Sequence, residues 1–171
     1  RVLERDANEL FQMTRRFKLG EGNGGRQSSA RTGASHQLMQ WSAALSVGFD
    51  EIEAQHQRLV EIANRLNSAM HSGAGRQALG EILGELVDYT VRHFAYEEGE
   101  MRKSRYPESE AHLAAHRKLV DEVSAFKKKF DSGDAAIGVE LMGFLRDWLL
   151  NHILKVDKLL GRHLAARAAK S

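Results

Sequence analysis

The chain has 171 residues, no cysteine and a formal net charge of +2. The missing cysteines exclude disulfides, thiolate catalysis, zinc fingers and cysteine-bound iron–sulfur clusters. No apolar run reaches the roughly 20 residues that cross a membrane, and the basic residues form no nucleic-acid-reading motif, so we expect neither direct membrane contact nor a nucleic acid partner.

The first 40 residues predict two segments that add nothing to a core. Residues 1–19 carry apolar side chains at seven-residue spacing, which indicates a short amphipathic helix. Residues 20–40 are rich in Gly, Ser and Arg and predict a flexible linker. Because the chain begins with Arg1 rather than Met, we expect a longer protein upstream. The expected folded domain is residues 41–171.

After a short apolar arm, apolar residues recur every three or four positions through four long segments. This spacing predicts helices over about 51–72, 77–103, 107–131 and 136–168. We expect Pro107 to begin the third helix, where its missing N–H has no cost, and we place Leu159 on the inner face of the fourth. Short glycine-containing connections favour antiparallel neighbours. The predicted fold is therefore all-α, an up-down-up-down four-helix bundle.

Histidines and carboxylates recur on the inner faces of these helices at spacings that suit a metal site. Residues four apart lie one turn above another on the same face, as His93 and Glu97 do. His152 is five residues from Asp157, a spacing that shares a face if the helix is locally widened into a π turn. The predicted metal ligands are His56, His93, Glu97, His112, His116, His152 and Asp157.

The alternative for each residue is an ordinary role in a helical protein. A single histidine on an apolar face is usually a partnered core residue, and Glu98 and Glu100 can be solvated charges. A lone buried carboxylate, however, is costly without a cation, and four helices each supply a ligand at similar depth. Seven ligands are more than the four that a closed zinc site takes. The set therefore favours a two-metal site.

Four stretches of the chain resemble the bacterial hemerythrin domain. They are WSAALSVGFDEIEAQHQRLV, HFAYEEGEM, YPESEAHLAAH and WLLNHILKVDKLL, which together extend from Trp41 to about Leu164. The resemblance implies two iron ions with an oxo or hydroxo bridge, and a domain that binds dioxygen or a similar small molecule. It further implies that His112, His116 and His152 hold one iron. His56 and His93 would hold the other, and Glu97 and Asp157 would bridge the pair.

The iron with fewer protein ligands would have the open position, and we expect apolar residues to shield it from water. The candidates for this oxygen pocket are Leu59, Phe94, Trp148 and Leu149, each of which could equally be plain core packing. Five neutral imidazoles and two carboxylates favour reversible binding over cleavage of the O–O bond. We therefore expect a protein that is not an enzyme and has no catalytic residues.

The first helix, RDANELFQMTRRFKL, is similar to the extreme end of a methyl-accepting chemotaxis receptor's signalling domain. This similarity implies an oxygen or redox sensor attached to upstream receptor helices, cytoplasmic but membrane-anchored through the upstream part. Two alternatives stay open. One is an oxygen or iron carrier or storage protein without a signalling role, and the other is a di-iron peroxidase or nitric-oxide-handling enzyme.

Overall fold

The computed structural model of the protein describes residues 37–133 and 137–169. The predicted helix over 1–19 and the linker up to residue 36 lie outside this part of the chain. The described residues form helices and connecting turns with no β-strand. None of these helices is both long and apolar enough to cross a membrane.

Four helical rods form the bundle, as the sequence predicts. A short 3-10 helix, Ala43–Leu45, precedes α1 (Asp50–His71), α2 (Arg76–Ser104), α3 (Ser109–Ser132) and the fourth rod. That rod consists of α4 (Ile137–His152), a π-helical segment (Ile153–Asp157) and α5 (Lys158–Ala168). Helix α1 contacts α2, α2 contacts α3, α3 contacts α4, and α4 contacts α1, which closes the bundle around one apolar core.

The turns use the expected helix-ending chemistry. Positive backbone φ angles of 71° at Gly73 and 102° at Gly133 follow α1 and α3, a conformation that glycine adopts without strain. Arg105 adopts the same left-handed conformation, with φ 54°, after α2. The third helix begins at Ser109 rather than at Pro107, because the amide of Ser109 bonds to the carbonyl of Tyr106 in a turn that contains the proline.

The residues just before Trp41 belong to the folded domain and not to the linker. Asn64 on α1 accepts hydrogen bonds from the amides of Leu38 and Met39 at 2.8 and 3.1 Å. Its own amide donates to the carbonyl of Met39 at 2.9 Å, and the Met39 side chain is buried in the core. The linker boundary at residue 40 is therefore two or three residues too late, since a polar helix residue binds this stretch of backbone.

The arm from Trp41 to Phe49 contacts the bundle on two sides. Glu53 accepts hydrogen bonds from the Val47 and Gly48 amides at 3.1 and 2.8 Å and from the Ser46 hydroxyl. The bond from Ser46 and those from the two amides lower the pKa of Glu53. On the other side, Gly161 of α5 lies against Val47, and a Cβ at this glycine would clash with the Val47 carbonyl. The arm thus contacts both α1 and α5.

Candidate metal centre

Seven titratable side chains from all four rods meet inside the bundle, and each is at most 4% exposed. They are His56 of α1, His93 and Glu97 of α2, His112 and His116 of α3, His152 at the end of α4, and Asp157 of the π segment. The structure thus brings together all seven residues that the sequence singles out. Their ligand atoms form two groups that could each hold a metal ion, and both carboxylates belong to both groups.

Glu97 directs one oxygen to each group of histidines. Its Oε1 lies 3.6 Å from Nε2 of His93 and 3.9 Å from Nε2 of His56. Its Oε2 lies 3.1 Å from Nε2 of His116 and 3.5 Å from Nε2 of His112. A carboxylate placed in this way can bridge two metal ions, one on each side.

Asp157 repeats this arrangement from the opposite rod. Its Oδ2 lies 3.1 Å from Nε2 of His56, whereas its Oδ1 lies 3.0 Å from His152 and 3.2 Å from His112. One group of histidines therefore comprises His56 and His93, and the other comprises His112, His116 and His152. We call these the two-histidine group and the three-histidine group.

The polar atoms that face the centre lack hydrogen-bond partners. Among the described residues, these atoms are the four carboxylate oxygens of Glu97 and Asp157 and the Nε2 atoms of His56, His112, His116 and His152. A buried polar atom without a partner costs about 1–3 kcal/mol, and more if it is charged. Two cations at the centre would remove this cost for all of these atoms. The residues therefore fit a pair of metal ions.

The pKa shifts of His93 and of the two carboxylates suit metal ions, which bind neutral imidazoles and ionised carboxylates, whereas the shift of His112 favours a proton that a bound metal ion would displace. Burial lowers the pKa of His93 to about 4. Burial raises the pKa of Glu97, and so does Asp157, but contacts with His112 and His116 outweigh both and bring it to about 2. Burial likewise opposes ionisation of Asp157, yet the nearby histidines hold its pKa well below the ordinary value. Burial disfavours charged His112 too, but the two carboxylates raise its pKa to about 9.

The five-residue spacing of His152 and Asp157 depends on the π-helical segment. Five residues of regular α-helix would turn the two side chains about 140° apart. The segment Ile153–Asp157 widens the helix, so that both side chains point into the centre. The predicted π turn is confirmed. The turn also shifts the register beyond it, so that Leu160 is fully buried and Leu159, expected on the inner face, is 43% exposed.

The four predicted pocket residues do not all lie beside the two-histidine group. Leu59 and Leu149 are buried. The Phe94 ring stacks on His116 with a centroid distance of 3.7 Å, and the Trp148 ring stacks on His152 at 4.4 Å. Both rings therefore pack on the three-histidine group. The Phe94 ring is 5.7 Å from that of its neighbour His93, farther than from His116, and Trp148 lies one helical turn before the histidine it covers.

Two polar residues that sequence reasoning did not assign to the site lie just outside it. Gln55 contacts the outer nitrogen of His93, and Glu98 contacts that of His116. The sequence offered no clear signal for either contact. Gln55 precedes His56 but reaches a histidine on another helix, and Glu98 has the composition of an ordinary surface charge.

Comparison with known proteins identifies the family. The hemerythrin HHE cation-binding domain matches residues 47–164. Bacteriohemerythrin of Methylococcus capsulatus is 42% identical over 132 residues, which cover 75% of this chain and 98% of that protein. A hemerythrin-like protein of Naegleria gruberi is 32% identical over 117 residues, or 68% of this chain and 86% of that protein.

Solved structures agree with the sequence comparisons. The crystal structure of a wild-type hemerythrin matches with a TM-score of 0.70 and 40% identity, over 75% of this chain and 98% of that one. The two structures share the helical fold, and the donors of this chain's centre suit a di-iron cofactor. The chain therefore belongs to the hemerythrin family, whose domains hold a di-iron centre and bind dioxygen.

Proposed function

We propose that this domain binds dioxygen reversibly at its di-iron centre without catalysing a reaction. The observation that carries the proposal is the position of the two buried carboxylates. Each of Glu97 and Asp157 directs one oxygen to the two-histidine group and the other to the three-histidine group. Two iron ions held there would supply the electrons and the coordination position that reversible dioxygen binding needs.

The ligand assignment follows from the two groups. The three-histidine group would hold one iron and the two-histidine group the other, with Glu97, Asp157 and a solvent-derived oxo or hydroxo group between them. The two-histidine group then has one protein ligand fewer. This difference supports a position for dioxygen on the side of His56 and His93.

The surrounding residues suit binding rather than turnover. Five imidazoles and two carboxylates make a less electron-rich site than one dominated by carboxylates, which disfavours the high oxidation states that O–O cleavage requires. Leu59 and Leu149 are buried, which supports an apolar lining that keeps water away from the centre. Exclusion of water protects the oxygenated protein from oxidation.

Iron content tests the ligand assignment. We expect close to two irons per chain, and less in Glu97→Ala and in Asp157→Ala, because each change removes a side chain shared by both ions. Asp147→Ala is the matched control, since Asp147 is an exposed aspartate on α4, the helix that ends at His152. Full iron occupancy in both carboxylate variants would contradict the assignment.

Optical spectra of the iron-loaded protein test reversible binding. We expect a charge-transfer band to appear when the reduced protein meets air and to vanish when oxygen is removed. A protein that turns over peroxide or nitric oxide beyond one equivalent would instead be an enzyme. Irreversible oxidation on the first exposure to air would also contradict the proposal.

We further propose that the domain serves as a cytoplasmic oxygen or redox sensor for a chemotaxis-type transducer, with nitric oxide as a second possible ligand. The support is the similarity of RDANELFQMTRRFKL to the end of a receptor signalling domain, joined to the bundle through a Gly- and Ser-rich stretch. The sequence upstream of Arg1 tests this role. A long coiled-coil receptor would support sensing, whereas its absence would favour oxygen carriage or storage.

A further inference from the structure

One histidine in each group makes a hydrogen bond on the side that faces away from the centre. Nδ1 of His93, in the two-histidine group, lies 3.0 Å from Oε1 of Gln55. Nδ1 of His116, in the three-histidine group, lies 3.4 Å from Oε1 of Glu98. The two partners have similar size, but Gln55 is neutral and Glu98 is an acid.

The contact with Gln55 fixes the tautomer of His93. The amide nitrogen of Gln55 donates to Glu51 at 3.0 Å, so its oxygen is the atom that faces His93. An amide oxygen only accepts, and therefore Nδ1 of His93 carries the proton. The lone pair on Nε2 is then free to point towards Glu97 and the centre, where Nε2 lies 3.6 Å from Oε1.

Glu98 fixes His116 in the same way but with a charge. An ionised carboxylate is also only an acceptor, so Nδ1 of His116 donates and Nε2 keeps its lone pair, 3.1 Å from Oε2 of Glu97. The Glu98 side chain is 31% exposed, at the border between the site and solvent. Glu98 is therefore close enough to polarise the imidazole, while its own charge remains hydrated.

Carboxylate partners make a metal-binding imidazole more basic than neutral partners do. The Nδ1 atoms of His56 and His112 have no hydrogen-bond partner in the described part of the chain, so neither of these two histidines adds a charged partner to its group. We propose that Gln55 and Glu98 are positioning residues that present Nε2 of His93 and His116 to the metal ions. Because Glu98 is charged and Gln55 is neutral, ferric iron is stabilised more at the three-histidine position than at the two-histidine position. The inference rests on the di-iron function proposed above.

The midpoint potential of the iron-loaded protein tests the role of charge. Glu98→Gln keeps the shape and removes the charge, and we expect a more positive potential, because ferric iron loses stabilisation. Gln55→Glu adds a charge on the other side, and we expect a more negative potential. Glu100→Gln is the matched control, because Glu100 lies on the same helix and pairs with Lys103 rather than with a histidine. Equal shifts in Glu98→Gln and Glu100→Gln would overturn the inference.

Zinc loading tests the tautomers without iron chemistry. In the zinc-loaded protein, ¹⁵N spectra of the histidines should show protonated Nδ1 atoms in His93 and His116. Gln55→Leu and Glu98→Leu should weaken zinc binding by about 10–100-fold, the usual effect of losing such a partner. Unchanged zinc affinity in both variants would contradict the positioning role. A wild-type chain that binds fewer than two metal ions of either kind would instead refute the di-iron proposal itself.

Discussion

Glu97 and Asp157 have no exposed surface, and each contacts histidines from at least two other rods. Such residues are expensive in a helical core, because an ionised carboxylate without partners loses its hydration. The cost is acceptable only because cations belong between them. Nearby uncharged residues have a different task, which is to keep water away.

Leu149 is the apolar residue whose removal should matter most for oxygen chemistry. It is 4% exposed and lies three residues before His152. Leu149→Ala should leave space for water near the centre, and we expect faster autoxidation of the oxygenated protein with nearly unchanged iron content. The packing loss should also destabilise the bundle by about 2–5 kcal/mol. The measurement is the decay rate of the oxygenated form at matched iron loading, and an unchanged rate would leave Leu149 as an ordinary core residue.

Glu53 provides a pH-dependent contribution to stability outside the metal centre. Its pKa is lower in the folded protein than its usual value of 4.5, so its stabilising effect is present above pH 4.5 and is lost as the pH falls through the folded value. Glu53→Gln should therefore reduce the free energy of unfolding at pH 7 by about 1 kcal/mol, since the group is partly exposed. Chemical denaturation of the metal-free protein at pH 7 and below pH 4 should show this difference shrinking in acid. A constant difference at both values would contradict the assigned role.

At the scale of whole elements, spacing predicted most of what is seen. The bounds of α1 and α2 fall within one residue of the predicted helices. The π segment was predictable because His152 and Asp157 could not otherwise share a face. The late start of α3 could not be predicted in this way. Proline favours the first helical position, but here Tyr106 and Ser109 form a hydrogen-bonded turn that contains Pro107.

The packing of the arm on α5 gives a test with a clear sign. Replacing a helical glycine by alanine usually stabilises a protein by about 0.5–1 kcal/mol. Gly143 on α4 has open space around it, and Gly143→Ala should follow this rule. Gly161→Ala should instead lower the free energy of unfolding by about 1–3 kcal/mol, because its new methyl group meets the Val47 carbonyl. Stabilisation by both substitutions in thermal unfolding would show that the arm is not held there.

At the scale of the whole molecule, the predicted division between a folded domain and the preceding residues remains a prediction. What the structure adds is that Leu38 and Met39 belong to the folded part. Leu38 and Met39 are bound by Asn64, which no local pattern could indicate, because the contact joins residues 25 or 26 positions apart. The same limitation hid Gln55 and Glu98, whose partners lie on other helices.

A shortened chain that begins at His36 should fold and bind as much iron as the full chain, because it keeps Leu38 and Met39. A chain that begins at Trp41 is the matched comparison, and it should be less stable because the side chain of Asn64 and the core beside Met39 lose their partners. Circular dichroism during heating and iron analysis of the three chains provide the measurement. Loss of helix content or iron in the chain from His36 would show that residues 1–35 support the bundle.

The fluorescence of the two tryptophans should report metal binding. The chain has only Trp41 and Trp148, and each lies beside a histidine of a different group. Trp41 is 6.4 Å from His56, and Trp148 stacks on His152 at 4.4 Å. Iron bound to either histidine would quench the adjacent indole, whereas zinc, which has no low-energy electronic transitions, would leave it bright. Emission that falls as iron is added, and stays high when zinc is added instead, would therefore follow the loading of the centre without any external label.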